Sequence, residues 1–173
     1  MTTQLAIPSL ANSGATFSRC GVYRYRLWRA WGKGPRCPFV MLNPSTADEE
    51  ANDPTIRRCI GYAREWGYSG LEVVNIFALR STDPNELYIH PAPVGGIEND
   101  EAITEAVALG SGVAVCAWGD HGAHLGRGHD VYRMLTDLGV RLVAFKVNKS
   151  GHPIHPLYQP ASLRPRTFRM GWP

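Results

Sequence analysis

Residues 37–46 read Cys37-Pro38-Phe39-Val40-Met41-Leu42-Asn43-Pro44-Ser45-Thr46, a short apolar run that stops at an asparagine–proline pair. A continuous apolar run of this length predicts a buried strand. Proline holds the residue before it extended, so Asn43-Pro44 marks the strand's carboxyl end and the start of a loop. Downstream, Asp53-Pro54 supplies a helix cap and a first-turn proline. The helix it opens places Ile56, Cys59, Ile60, Ala63 and Trp66 at three-and-four spacing and stops near Gly67 or Gly70. Leu71–Leu79 is a second apolar strand, and a helix follows over Asn99–Leu109. A third strand is predicted at Gly112–Trp118, a helix at His129–Leu138 ended by Gly139, and a fourth strand at Val140–Val147.

Upstream, Cys20–Trp31 alternates apolar residues with arginine in the strand period of two, and Gly32-Lys33-Gly34-Pro35 predicts a hairpin turn. Strands alternating with helices imply a three-layer α/β/α domain with a mostly parallel four-stranded sheet, plus an N-terminal β-hairpin. The 173 residues fit a single domain over 1–173, with residues 1–16 as a loose N-terminal extension.

Composition removes several classes. With 44% hydrophobic and 19% charged residues the chain can bury a core and lacks a disordered or coiled-coil signature. Its apolar stretches fall far short of the ~20 residues that span a bilayer, and the first residues show no secretory pattern. Cys20, Cys37, Cys59 and Cys116 lie far apart with no C-x-x-C pair, which reads as reduced thiols and a cytoplasmic location. No G-x-G-x-x-G, P-loop or G-x-S-x-G is present.

Charge is unevenly placed. Residues 1–47 carry six Lys/Arg and no acid, residues 141–173 carry six and no acid, and all fifteen carboxylates share the middle section with six basic residues. If the two ends meet in space they form one basic face suited to nucleic acid.

In a parallel α/β sheet, ligands bind outside the carboxyl ends of the strands. The predicted ends carry Asn43-Pro44-Ser45-Thr46, Asn75, Trp118-Gly119-Asp120-His121 and His152-Pro153-Ile154-His155-Pro156. Taken singly, each has a plain structural reading: a turn, a backbone-bonded amide, a core tryptophan, a structural histidine. An unpaired Asn75 amide in an apolar strand would cost a few kcal/mol, so it calls for a partner, either loop backbone or a bound ligand.

In chain order the segments VMLNPST, GLEVVN, VAVCAWG and HPIHPLY resemble the uracil-DNA glycosylase superfamily, whose strand-end motifs follow the same succession. The wording NPSTAD, DPTIRR, NIFALRSTDP and HPLY over residues 17–165 also resembles an uncharacterised domain family of bacteria and phages. The glycosylase resemblance implies hydrolysis of the N-glycosidic bond of an extruded uracil-like or 5-substituted pyrimidine. Asn43 would position the attacking water with Pro44 beside it, and Asn75 would read the base edge. His155 would donate to the pyrimidine O2, and Ser45, Phe77, Trp118 and Gly119 would complete the base site. Leu157 or Tyr158 would fill the vacated stack, with Lys149 and Arg164 on phosphates.

Two departures matter. Asn43 stands where the efficient uracil enzymes have aspartate, and an amide cannot take a proton, so Asp48 or Asp53 would have to serve as base. Ser45 stands where those enzymes have a tyrosine that excludes a 5-methyl group, which implies tolerance of a bulkier 5-substituent. No cofactor or metal is expected, no lysine matches a lyase position, and the partner is DNA or a nucleoside or nucleotide, with no membrane and a monomeric protein. Two other readings compete. One is a non-catalytic nucleic-acid or nucleotide binder. The other is a metal-dependent phosphoesterase built on Asp120, His121 and His124, with His129-Asp130 close by.

Overall fold

The computed structural model describes residues 12–171. Seven strands form one mixed sheet: β1 (Ser13–Phe17), β2 (Arg24–Ala30), β3 (Arg36–Met41), β4 (Gly70–Asn75), β5 (Val113–Ala117), β6 (Arg141–Ala144) and β7 (Arg166–Thr167). Their spatial order is β1-β2-β4-β3-β5-β6-β7. The pairings β4–β3, β3–β5 and β5–β6 are parallel, whereas β1–β2, β2–β4 and β6–β7 are antiparallel. The chain is thus α/β, but the expected four-stranded, mostly parallel sheet is corrected to seven strands with antiparallel pairs at both edges.

The expected hairpin at Gly32–Pro35 is also corrected. β2 and β3 do not pair with each other, because β4 lies between them. All six residues of β3 are buried, so the strand needs covered neighbours on both sides and takes β4 and β5. Pro38 is accommodated because pairing with β5 begins only at Phe39. The N-terminal hairpin is instead β1–β2, closed by Ser18 N–H to Tyr23 O at 3.0 Å. It draws Ser13–Phe17 into the sheet, so part of the expected loose extension is a strand; residues 1–11 lie outside the described residues.

Helices cover both faces. On one, α1 (Pro54–Glu65) packs Ile56, Cys59, Tyr62 and Ala63 against Phe39, Met41, Leu71, Val73 and Val115. On the other, α3 (Ile97–Ala108) and α4 (Arg127–Asp137) bring Ile103, Val107, Val131 and Leu135 against Val40, Val74, Ala114 and Cys116. Alternate strand residues serve the two cores, as the period of two requires. Asp53 caps α1 through its side chain, which accepts from Ile56 N–H at 2.8 Å, with Pro54 in the first turn as the sequence predicts. A short helix, α2 (Glu86–Ile89), and a 3₁₀ segment at Asp120–Gly126 complete the fold. No helix among the described residues is long and apolar enough to cross a membrane.

β4 ends at Asn75, four residues earlier than the apolar run Leu71–Leu79 suggests. Beyond it the chain bends across the sheet end, held by Ile76 N–H to Met41 O at 2.9 Å and Phe77 N–H to Leu42 O at 2.9 Å. This tie brings the carboxyl ends of β3 and β4 together.

Candidate functional site

A pocket of about 280 Å³ opens at the carboxyl ends of β3 and β4. Asn43, Ser45, Asn75 and His155 line it together with Arg24, Asp53, Thr55, Ser81 and Thr82, and Met41, Leu42, Ile56 and Pro84 provide its apolar wall. Three of the four strand-end segments named from sequence therefore converge on one cavity.

Asn75 is 1% exposed, and neither Oδ1 nor Nδ2 has a hydrogen-bond partner among the described residues. A buried amide without protein partners costs a few kcal/mol, so its partners have to come from the contents of the pocket, water or ligand. Its backbone, by contrast, is firmly held. Asn99, buried on α3, donates from Nδ2 to Asn75 O at 3.0 Å and to Ile76 O at 3.3 Å. Arg127 Nε adds a bond to Ile76 O at 2.7 Å, and Arg127 is itself ion-paired with Asp100.

Asn43 is oriented by its surroundings. Its Nδ2 lies among three carbonyls, Ser81 O at 2.9 Å, Pro44 O at 3.2 Å and Leu79 O at 3.3 Å. Three acceptors around one amide atom identify it as nitrogen. Oδ1 is then the atom left to accept from water or ligand. Ser81 N–H to Pro44 O at 2.9 Å fixes the same loop from the other side.

His155 accepts the Leu157 N–H at Nδ1, at 3.3 Å, so in the neutral ring the proton sits on Nε2. Although the residue keeps exposed surface, the protein around its ring removes enough water to lower the imidazole pKa, with Asp53 pulling the other way. The neutral Nε2–H donor is the favoured form.

Other candidates fall elsewhere. Asp48 does not line the pocket; its Oδ1 accepts from Glu50 N–H at 2.9 Å and Ala51 N–H at 2.7 Å, which hold its carboxyl below the usual range. Asp53, weighed as an alternative base, is the carboxylate that does line it. Phe77 is fully buried beside His124. Trp118 is a core residue: its Nε1 donates to His152 Nδ1 at 3.3 Å, and Gly122 lies so close that a Cβ there would meet the indole at 2.2 Å. Gly119 bonds Pro153 O through its backbone at 2.7 Å. Pro44 is buried and does not line the pocket.

The HPLY loop leaves the pocket along α1. Arg58 and Tyr62 anchor it through Gln159 O, and Tyr62 Oη also reaches Pro160 O at 3.1 Å. Leu157 is half-buried, whereas Tyr158 is 91% exposed and sits at φ +68°, a left-handed backbone that tyrosine rarely adopts. Arg57 and Arg58 flank it across a shallow cleft. Arg164 is exposed and paired with Glu65, and Lys149 lies on an exposed turn.

The two acid-free ends do not form one face. β1–β2 and β6–β7 occupy opposite edges of the sheet. Arg24, Arg29 and Arg36 are buried, and Arg26 and Arg36 are both committed to the buried Glu72, at 3.2 Å and 2.6 Å. Arg57 and Arg58, from the acid-rich middle section, line the neighbouring cleft beside Leu157 and Tyr158 rather than the pocket itself. The histidine–aspartate group also disperses: Asp120 binds Asn148 and Ser150, His121 the Tyr88 hydroxyl, and His124 the Leu87 carbonyl. Among the described residues no group of three or more His, Cys, Asp or Glu is placed to hold a metal ion.

Residues 24–157 match the domain family described as a protein of unknown function, DUF1643. The chain belongs to the DUF1643 family. No curated protein and no solved structure matches it. The DUF1643 match runs from Arg24, at the pocket's inner wall, to Leu157, just past its rim histidine, and so spans every residue that lines the cavity.

Sequence reasoning missed Arg24, Ser81 and Thr82. In the sequence Arg24 is only one of six basic residues in an acid-free stretch, and its burial at 2% is set by the fold. Ser81 and Thr82 follow the bend after Asn75, which no local signal located.

Proposed function

We propose that the pocket is the base-binding site of an N-glycosyl hydrolase acting on a pyrimidine extruded from DNA, as the resemblance to the uracil-DNA glycosylase superfamily implies. The observation that carries this reading is the Asn75 side chain, buried with both its donor and its acceptor free. A pyrimidine edge offers the complementary pair, one N–H and one carbonyl.

The remaining residues take consistent parts. The Nε2–H of His155 donates to the pyrimidine O2 as negative charge gathers there. Asn43 Oδ1 accepts from the attacking water, and Asp53 takes the proton that the amide cannot. The water oxygen bonds to C1′, the C1′–N1 bond breaks, and its electron pair leaves with the base. Tyr158 stacks where the base departed, and Arg57 and Arg58 meet the phosphates. Extruding a base costs a few kcal/mol, which these outer contacts offset.

Abasic-site formation on oligonucleotides carrying uracil, hypoxanthine, mispaired thymine or 5-hydroxymethyl pyrimidines tests the reading. Alkali-labile breaks that disappear with Asn43→Ala and His155→Ala are expected. DNA binding without breaks on any substrate would replace the hydrolase with a non-catalytic binder, the reading that Asn43 in place of aspartate favours.

A further inference from the structure

Among the described residues, the buried arginines other than Arg24 each hold a carboxylate or several acceptors. Arg36 pairs with Glu72 at 2.6 Å, and Arg127 pairs with Asp100 and binds Ile76 O. Arg29 bonds the carbonyls of Asp48, Ala51, Trp28 and Gly14 and the Asn52 side chain. Arg24, 2% exposed, has a single acceptor, Ala47 O at 2.6 Å from Nη1. Its Nε has no partner, and among the described residues no carboxylate lies within ion-pairing distance of it.

Arg24 lines the pocket with Asn75. Removing a cation from water without pairing it costs several kcal/mol. Burial accordingly pulls its pKa down to about 10, against the field of Asp53. Asp53 shares the pocket but already accepts the Ile56 N–H through Oδ1. Arg80 and Arg29 add positive field around Arg24, and Asp48 opposes them. Holding the Asn43–Ala47 loop through one carbonyl does not require a charged group, since a neutral donor would do the same.

We infer that the ligand of this pocket carries an anionic group that pairs with Arg24. Arg24 then selects a charged ligand over its neutral counterpart. The inference rests on the base-site reading and narrows it. The anion has two possible sources, a carboxylate substituent on the base or the phosphate of a nucleotide, and both present oxygens that a guanidinium binds by charge-assisted hydrogen bonds.

Calorimetric titration of the full-length protein with two matched pairs decides it: 5-carboxyuracil against 5-hydroxymethyluracil, and deoxyuridine monophosphate against deoxyuridine. In at least one pair the anion is expected to bind about tenfold or more tighter, and the pair that shows the gain identifies the source. Arg24→Gln, verified as folded by circular dichroism, is expected to abolish the gain, and Arg24→Lys to keep part of it. The wild-type ratios stand on their own if Arg24→Gln does not fold. Binding of the neutral ligands with no gain for either anion overturns the inference and leaves the base site intact. Absence of binding by all four ligands overturns both.

Discussion

Asn99 Nδ2 donates to the backbone carbonyl of Asn75 at 3.0 Å, so the residue that presents a free amide to the pocket is fixed from behind by a second asparagine. The backbone that carries the free amide is therefore fixed. Asn99→Ala removes the donor for Asn75 O and is expected to cost about 1–3 kcal/mol of stability. It should also weaken ligand binding without touching the ligand. Thermal denaturation in parallel with ligand titration separates the two effects; unchanged binding would show that Asn99 only supports the fold.

Asn75 itself should show the opposite split. Its amide gains nothing from the protein, so Asn75→Leu should leave stability unchanged or raise it by about 1 kcal/mol, since an unsatisfied polar group is replaced by an apolar one of similar size. Ligand binding should be lost. A clear fall in Tm for Asn75→Leu would mean that the amide has a structural partner.

Much of this architecture is legible in the sequence. The Asp53-Pro54 helix start and the alternation of strands with helices follow from capping chemistry and apolar periodicity, which act locally. Strand order does not. Nothing within residues 24–41 says that β4 will separate β2 from β3, because that choice satisfies a strand buried on both faces by bringing in a segment some thirty residues away. The site shows the same division. Asn43 and Asn75 could be found because a polar side chain at the end of an apolar strand stands out from the core pattern around it, and His155 because paired histidines, each followed by proline, stand out in a loop. Arg24 could not, because its alternating pattern is that of an exposed strand edge, and only the fold reveals the loop packed over it.

Histidine ionisation makes a prediction with a definite sign. Burial lowers the pKa of His155, opposed by Asp53, and lowers that of His152, with His129 adding to the effect and Asp120 opposing it. The unfolded chain therefore binds protons first as pH falls. The contribution to stability is complete above about pH 6.5 and is lost as pH drops towards the depressed folded values. Urea midpoints should hold between about pH 8 and pH 6.5 and decline below. An NMR titration of the His155 ring should give a midpoint below about 6.5; a midpoint above that value would contradict the assigned neutral donor.

Tyr158 combines strain with exposure, at φ +68° and 91% accessible. Tyr158→Gly should relieve about 1–2 kcal/mol of backbone strain and raise the unfolding midpoint. The same change should weaken DNA binding about tenfold, the scale of a lost base–aromatic stack. Equal DNA affinity for both proteins at low salt would remove Tyr158 from the interface.

The most direct test of the base site is the side-chain amide of Asn75 observed by NMR in nitrogen-labelled protein as a free pyrimidine base is added. The account predicts that its two amide proton resonances move on binding, and that their exchange with water slows. Shifts confined to another part of the molecule, with the Asn75 amide unmoved, would contradict it.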